Sequence, residues 1–519
     1  SSNNNYKFEY DSLPKLVFEA LDLKCYSKGD SSVIYNTSGV YYPTEKKWVG
    51  KGGKITWERA GFSRDSVWAE IDKYQILVKT PRYKIKDVTF YDLFYFEKPL
   101  KGSLEEKVLA NITPQKASYP RFDSYDKRIV INNLTENVDY DGGFSLYGRK
   151  VVGKGNEEED ALILVYNKEN QLLFKAASQT FIIRPEKVVS ERAAITLYLG
   201  QDSIYHPGLN FKLFLDERKI TLYRNYEGLT ITPYYDSFHQ LDMDFEFFVW
   251  KIDDPLIEFT KLVGGTKSDA HFESANYFKM ERFMQIQGRN EYNPLVVIKH
   301  YVDKQDTNVF HLEDMVRLFR LSPNQVELML VQLSTMGFVT YRFDKKQVVV
   351  KQKLIDYVLN SAGKKDYDVI AFHSDIKNES NATLSLLNFD LKIRGVKNIL
   401  LSDSQQVMIF PKHGEITVKK NRDFDFAGVV RAGRFVFFGK EFDFQYNSFK
   451  VNLTNVDSTM IFAETGEIDQ NNNPVIKPVK SVIENINGDL LIDNPFNKSG
   501  YKSFPEFPIF NSFKESYVY

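Results

Sequence analysis

Hydrophobic and polar residues alternate with a period of two from Lys7 to about Tyr235. Thr89-Phe90-Tyr91-Asp92-Leu93-Phe94-Tyr95-Phe96, Ala161-Leu162-Ile163-Leu164-Val165-Tyr166 and Thr180-Phe181-Ile182-Ile183 are examples. Lys51-Gly52-Gly53, Thr80-Pro81, Asp141-Gly142-Gly143, Gly153-Lys154-Gly155 and His206-Pro207-Gly208 punctuate the alternation. Short alternating runs between turn signals predict an all-β stretch.

A weak repeat runs through this stretch. Val49-Gly50-Lys51-Gly52 returns as Val152-Gly153-Lys154-Gly155, and more loosely as Phe438-Gly439-Lys440. A glycine closing each strand predicts a tight corner with positive φ. The spacing of a phosphate-binding loop is absent and no Ser or Thr follows the Lys, so a repeated β-turn is the reading kept.

Between about Asn290 and Ala362 the apolar period becomes helical. Leu295, Ile298, Tyr301 and Val302 share one face, and Leu312, Met315, Val316, Phe319 and Leu321 form a second stripe. Ser322-Pro323-Asn324-Gln325 is a helix start: Ser as N-cap, Pro at N1, Gln at N3. Val326, Met329, Leu330, Leu333 and Met336 then line one face, and Gly337 ends the helix. A strand Phe338–Tyr341, a turn Asp344-Lys345-Lys346, a strand Val348–Val350 and a short helix with Leu354, Ile355, Val358 and Leu359 follow. Helices, a capped helix, Gly and a two-stranded wing resemble a winged helix-turn-helix in order. After Asp366 the period returns to two, with a loop at Asn471-Asn472-Asn473-Pro474. The Phe- and Tyr-rich end from Phe504 to Tyr519 must pack on something.

The expected fold is therefore mainly β in three parts. Residues 1–284 form β-rich repeat units, 285–365 an inserted winged-helix-like α+β module, and 366–519 a second β-rich region with an aromatic tail. The β units are expected to stack, solenoid- or jelly-roll-like, because each alone has little core.

Composition narrows the chemistry. At roughly 150 residues per domain, 519 residues suggest about three to four domains. Hydrophobic residues at 43% and charged residues at 26% exclude wholesale disorder. A net charge of −1 excludes a general polyanion binder. Aromatic content of 15% favours strands. Cys25 is the single thiol, so no disulfide forms within the chain and no Cys-based zinc site exists. No apolar run is long enough for a transmembrane segment. The chain begins at Ser1 without a leader pattern, so a mature or excised fragment is expected.

Catalytic constellations are sparse. His206, His239, His271, His300, His311, His373 and His413 are scattered; His373 with Asp375, and His239 with Asp242 and Asp244, are the near groupings. A solvated strand face is the reading preferred over a metal. Asp242/Asp244, Asp253/Asp254 and Asp423/Asp425 are carboxylate pairs of the type glycoside hydrolysis uses, though such pairs also arise by chance. No G-x-S-x-G elbow occurs, and Cys25 has no His nearby in sequence. No catalytic residue, metal or cofactor is assigned.

The capped helix carries no Lys or Arg between Pro323 and Gly337. Specific duplex DNA binding is therefore not expected, despite Arg317, Arg320, Arg342, Lys345 and Lys346 around it. The module is expected to dock on the flanking β regions through Phe310, Phe319 and Phe338. Trp48, Trp57 and Trp68, with Tyr41 and Tyr42 before them, are candidates for ligand or partner binding, set against a core role.

The stretches Tyr41–Phe62, Ala117–Gly153, Asp202–Gly208 and Leu400–Gly439 resemble an uncharacterised group of large β-repeat envelope proteins of Bacteroidetes-type bacteria. The chain is more distantly similar to AsmA-like and lipopolysaccharide-transport β-sheet proteins, whose open sheets hold lipid chains. The resemblance covers about half of the chain, has no diagnostic motif and carries over no functional residue. It implies an exported, periplasmic or cell-surface protein whose partners are other envelope proteins, further repeats, lipid or glycan. The expected function is a non-catalytic structural, scaffold or binding protein. A carbohydrate-active enzyme or glycan-binding protein is the alternative, and nucleic-acid binding through the winged helix a second one.

Overall fold

Strands follow the period-two alternation closely in the computed structural model, and they pair antiparallel in one ladder after another. The structure describes residues 14–27, 30–80, 82–109, 113–224, 232–260, 269–288, 291–342, 345–468, 474–479, 483–484, 486–513 and 517–518. Ser1, Lys7, Pro81, Asn290, Asp344, Asn471, Asn472 and Asn473, named above, lie outside these, as do 514–516 and 519 of the tail. The protein is mainly β and divides into two compact units. One comprises Ser1–Ala193 with Lys212–Asp216, the other Ala194–Phe211 with Glu217–Tyr519.

In the first unit the long strand Asp30–Tyr42 pairs along one edge with Leu16–Ser27. Its other edge is divided. Ser38–Tyr42 pair with the strand Lys47–Lys51, while Ile34 and Tyr35 pair with Lys54–Thr56. Two ladders continue from there, to Lys73–Leu77 and to Val67–Glu70. The same division occurs at Val138–Tyr147: its end pairs with Lys150–Lys154 and its start with Ala161–Tyr166. Those ladders pass to Thr180–Arg184 and Leu172–Ser178. The alternation fills the interior. Trp57, Phe90, Phe122 and Phe144 are all buried, with Phe90 stacked on Phe122 at 4.1 Å between ring centres.

The repeated glycines behave differently from the turn reading. Gly50, Gly153 and Gly439 lie inside strands, and none has positive φ. Each makes room for a ring. A Cβ on Gly50 would stand 2.2 Å from the Tyr74 ring, on Gly153 2.4 Å from the Tyr140 hydroxyl, and on Gly439 2.4 Å from the Phe442 ring. The corner after the first copy is taken by Gly52, at φ +70.

In the second unit one ladder runs Lys219–Tyr223, Phe247–Lys251, Leu256–Thr260, Ala382–Ser385 and Leu391–Ile393. The other runs Tyr234–Asp236, Leu241–Asp244, Asp269–Ser274 and Ala371–Asp375. The long strand Val407–Val418 then pairs with Leu391–Ile393 at its end and with Ile399–Ser402 at its start. Phe424–Ala432, Phe435–Gln445 and Lys450–Ile468 extend it as a meander. The aromatic tail packs here: Ile509–Ser512 pair with Gly488–Leu491, and Phe510 meets Phe437 at 5.2 Å.

A helical module leaves the sheet after Ser274 and returns before Ala371. It contains α1 (Met280–Gln287), α2 (Pro294–Gln305), α3 (Leu312–Phe319), α4 (Pro323–Thr335) and α5 (Gln352–Ser361). The strands Val309–His311, Gln347–Val350 and Val339–Arg342 form its own antiparallel sheet, in that spatial order. Ser322 and Gln325 form the capping box at the start of α4, and Gly337, at φ +78, ends its turn. Leu295, Ile298, Met315, Val326, Leu330 and Leu354 belong to a closed apolar core. Phe310 and Phe338 are part of that core, and Phe319 is half-buried against it. They are thus spent on the module itself, where Phe338 packs on Tyr357 at 4.9 Å. No described helix is long and apolar enough to cross a membrane.

Candidate functional site

The densest buried polar chemistry lies where the helical module meets the sheet. Lys353, in the first turn of α5, reaches Asp242 Oδ2 at 2.5 Å and Glu273 Oε1 at 2.9 Å. Asp242 and Glu273 stand directly opposite each other on neighbouring strands, where two bare carboxylates would repel. Arg282 of α1 adds two bonds to Glu273, at 3.0 and 2.8 Å. Burial works to raise the Glu273 carboxyl, but Lys353, His271 and Arg282 overcome it and hold the group well below the usual range. Burial likewise works to lower Lys353, and the two carboxylates hold it well above the usual lysine range. Gly337 lets the module approach: a Cβ there would lie 3.2 Å from Pro233 and 3.4 Å from Asp242. Ser334 and Thr232 share a hydrogen bond of 2.7 Å across the same join. Behind it His206 is fully buried. Its Nδ1 accepts from Gly208 N–H at 3.1 Å, so Nε2 donates to the Thr232 carbonyl at 2.8 Å. Burial lowers its pKa, which keeps the ring neutral.

A second buried network fastens the two connections into the module. Asp368 accepts from Ser274 Oγ at 2.7 Å, Tyr446 Oη at 2.8 Å and Ile370 N–H at 3.0 Å. Burial raises its carboxyl against these bonds. Arg422 lies 3.6 Å over the Tyr446 ring and 3.8 Å from Asp368. His239 and Asp236 form a fully buried pair at 2.6 Å, and the other ring nitrogen bonds the Phe389 carbonyl at 2.8 Å. With both nitrogens engaged, this pair offers no base to a nucleophile.

The carboxylate pairs do not assemble as pairs. Asp242 sits in the join, whereas Asp244 is bonded to Arg224 at 2.6 Å. Asp253 pairs with Arg218, and Asp254 accepts from Leu256 N–H. Asp423 accepts from Tyr446 N–H at 2.8 Å. Burial pushes the Cys25 thiol up to about 11, the direction that makes a thiol unreactive.

The aromatic candidates divide by burial. Trp48 and Trp57 are buried core. Trp68 is half-buried, but Tyr91 stacks on it at 4.6 Å and Lys54 Nζ lies 4.5 Å over its ring. Flanked so, it offers no open face to a sugar. Tyr41 and Tyr42 are half-buried. Beside them Val17, Val40 and Val49 line a shallow, mostly apolar hollow of about 790 Å³.

One open polar cleft, of about 530 Å³, lies on the second unit. It forms where three neighbouring strands carry bulges at one level, at Pro411–Ile416, Phe426–Gly428 and Phe438–Gly439. Bulges bend strands and re-aim side chains. Lys392, Thr417, Asp425, Asp443 and Asn452 follow one another across five strands. Asp443 stands directly opposite Asp425, a partnership that register creates and sequence spacing hides. Asn452 bonds Asp443 at 2.7 Å, and Lys419 lies 3.5 Å from Asp425. Among the described residues no three His, Cys, Asp or Glu side chains converge as a metal-binding set.

Comparison of the chain with known protein families, with curated proteins and with solved structures found no match.

Proposed function

We propose that this chain is a non-catalytic binding scaffold of the cell envelope, built of stacked β units and carrying a winged-helix module fixed on its second unit. One observation carries the non-catalytic part: the buried histidines and the carboxylates around them are bonded into the frame. His206, His239, Asp236, Asp242 and Glu273 each have frame partners at bonding distance. The recurring division of a long strand between two ladders supports the repeat reading. The envelope location rests on the sequence resemblance.

The winged-helix reading rests on the order α2, strand, α3, α4 and a two-stranded wing. Its α4 exposes Asn324, Gln325, Leu328 and Gln332 and no cation, so phosphate neutralisation, the main source of nonspecific affinity, is missing. Titration of the whole chain with duplex DNA at about 50 mM salt is expected to show nothing tighter than about 10 μM, within the ordinary nonspecific range. Tighter binding with a steep salt slope would sink this reading.

The cleft favours glycan binding as a second reading. Its Lys392, Thr417, Asp425 and Asp443 offer donors and acceptors to hydroxyl groups. A glycan array read beside a reducing-sugar assay tests both. Binding without hydrolysis, lost in Asp443→Asn, supports a binding scaffold. Hydrolysis lost in Asp425→Asn would make the protein an enzyme.

A further inference from the structure

Two histidines far apart in the sequence meet on the strands that carry the helical module. His271 lies on Asp269–Ser274, the strand leading into the module, and His373 on Ala371–Asp375, the strand leading out. They are direct partners in the ladder. Side chains so placed have Cβ atoms about 4.5–5.5 Å apart on one face. The ring centres are 6.2 Å apart, inclined at 56°. His271 is 41% exposed, and His373 is exposed as well.

We propose that His271 and His373 form a surface site for a divalent transition metal, which clips together the two strands from which the helical module is inserted.

The geometry suits the ion. Metal–nitrogen bonds to imidazole are about 2.0–2.1 Å, so a metal between the two rings needs side-chain rotation and no backbone movement. His271 Nε2 stands 3.5 Å from Glu273 Oε2. A carboxylate behind a ligating histidine fixes its ring and leaves Nδ1 for the metal. Asp244, opposite His271 on the other side, is paired with Arg224, and Asp375 lies 3.5 Å from Lys397. The protein therefore supplies two nitrogens, and water fills the remaining positions. Imidazole donors select Cu²⁺, Ni²⁺ and Zn²⁺ over Mg²⁺ and Ca²⁺, with Cu²⁺ the tightest. The site also touches the join, because Glu273 receives both Lys353 and Arg282.

The test is calorimetric titration of the whole chain, free of any histidine tag, with zinc and copper sulfates. Binding at micromolar Kd with one ion per chain is expected, and no binding of magnesium. His271→Ala and His373→Ala are each expected to weaken it at least tenfold. His300→Ala, an exposed histidine on α2, leaves it unchanged. Electron paramagnetic resonance of the copper complex is expected to show two coordinated nitrogens, which needs no variant to fold. Zinc is also expected to raise the melting temperature of the wild type but not of His373→Ala. Absence of zinc or copper binding below millimolar overturns the proposal, as does binding that survives loss of both histidines.

Discussion

Replacing Lys353 by Met removes one ammonium from the join and keeps an apolar stem of similar length. The lysine side chain is 10% exposed, as is Asp242, and Glu273 is 5% exposed. Breaking a buried pair by deleting one partner costs about 3–5 kcal/mol, because the other charge stays buried and uncompensated. Glu273 keeps both bonds from Arg282, so the orphaned charge is mainly that of Asp242. The lower end, about 3 kcal/mol, is therefore the expected cost. For a unit of about 320 residues, whose unfolding entropy is about 0.7 kcal/mol/K, that corresponds to roughly 4–5 °C in Tm. A second variant isolates the cause. Lys353→Met with Asp242→Asn removes the orphaned charge as well and is expected to recover at least half of the loss. Hydrogen exchange would locate the damage, with faster exchange in α4 and α5 than in Phe247–Lys251. A loss under about 1.5 °C would refute the reasoning, since it would correspond to less than about 1 kcal/mol. So would a double variant no more stable than the single one.

The pH dependence of the join has a definite sign. Glu273 is depressed in the folded chain. Its contribution is complete above the ordinary carboxylate pKa of about 4.3 and is lost only as pH falls through the depressed value. Lys353 is raised, so its contribution is complete below about 10.4 and is lost as pH rises through the folded value. The Glu273–Lys353 pair is thus indifferent to pH between about 5 and 10. The Lys353→Met chain is expected to begin acid unfolding at a higher pH than wild type.

Three further outcomes are expected. Burial pushes Glu106 up to about 7 despite its bond to Arg59; the unfolded chain ionises first, so stability falls by about 3 kcal/mol as pH rises from about 4.3 to 7. Urea midpoints across that range are expected to fall less in Glu106→Gln than in wild type, the remaining fall coming from Asp92, which burial pushes up to about 6. Gly153→Ala places a methyl group against the Tyr140 ring and hydroxyl and is expected to cost about 1–3 kcal/mol in urea unfolding; unchanged stability would contradict the packing role. Cys25 is expected to resist alkylation at pH 8 in the folded chain and to react once unfolded, followed by mass; rapid labelling of the native protein would contradict its burial.

How much of this was legible in the sequence depends on whether the signal was local. Period-two alternation announced the strands, because a sheet buries one face of each strand regardless of its partner. The capping box of Ser322 and Gln325 and the stop at Gly337 marked α4, because their chemistry lies within a few residues. Gly50 and Gly153 were legible as special positions but not for the right reason: the aromatic ring that needs the space lies on another strand in both cases. Trp48 and Trp57 illustrate the same limit. An aromatic residue near a turn fits a binding surface or a core equally well, and only what packs over it in the fold decides.

The join was hidden more deeply. Asp242, Glu273, Arg282 and Lys353 come from two strands and two helices; Asp242 showed only as half of a local carboxylate pair, and the other three do not stand out in their own neighbourhoods. The expectation that Phe310, Phe319 and Phe338 would dock the module followed from treating apolar residues as the available adhesive. The module has its own closed core, however, and those rings close it. With the apolar residues used inside, polar groups remain to fix the module on the sheet. Such a join adds little net stability compared with apolar packing of the same volume. What it adds is position. If the module shifted by one residue, Lys353 would lose both carboxylates and leave them buried and bare, whereas an apolar contact would slide at small cost. A structure that holds a helical module rigidly on a β frame needs that intolerance more than it needs additional buried area.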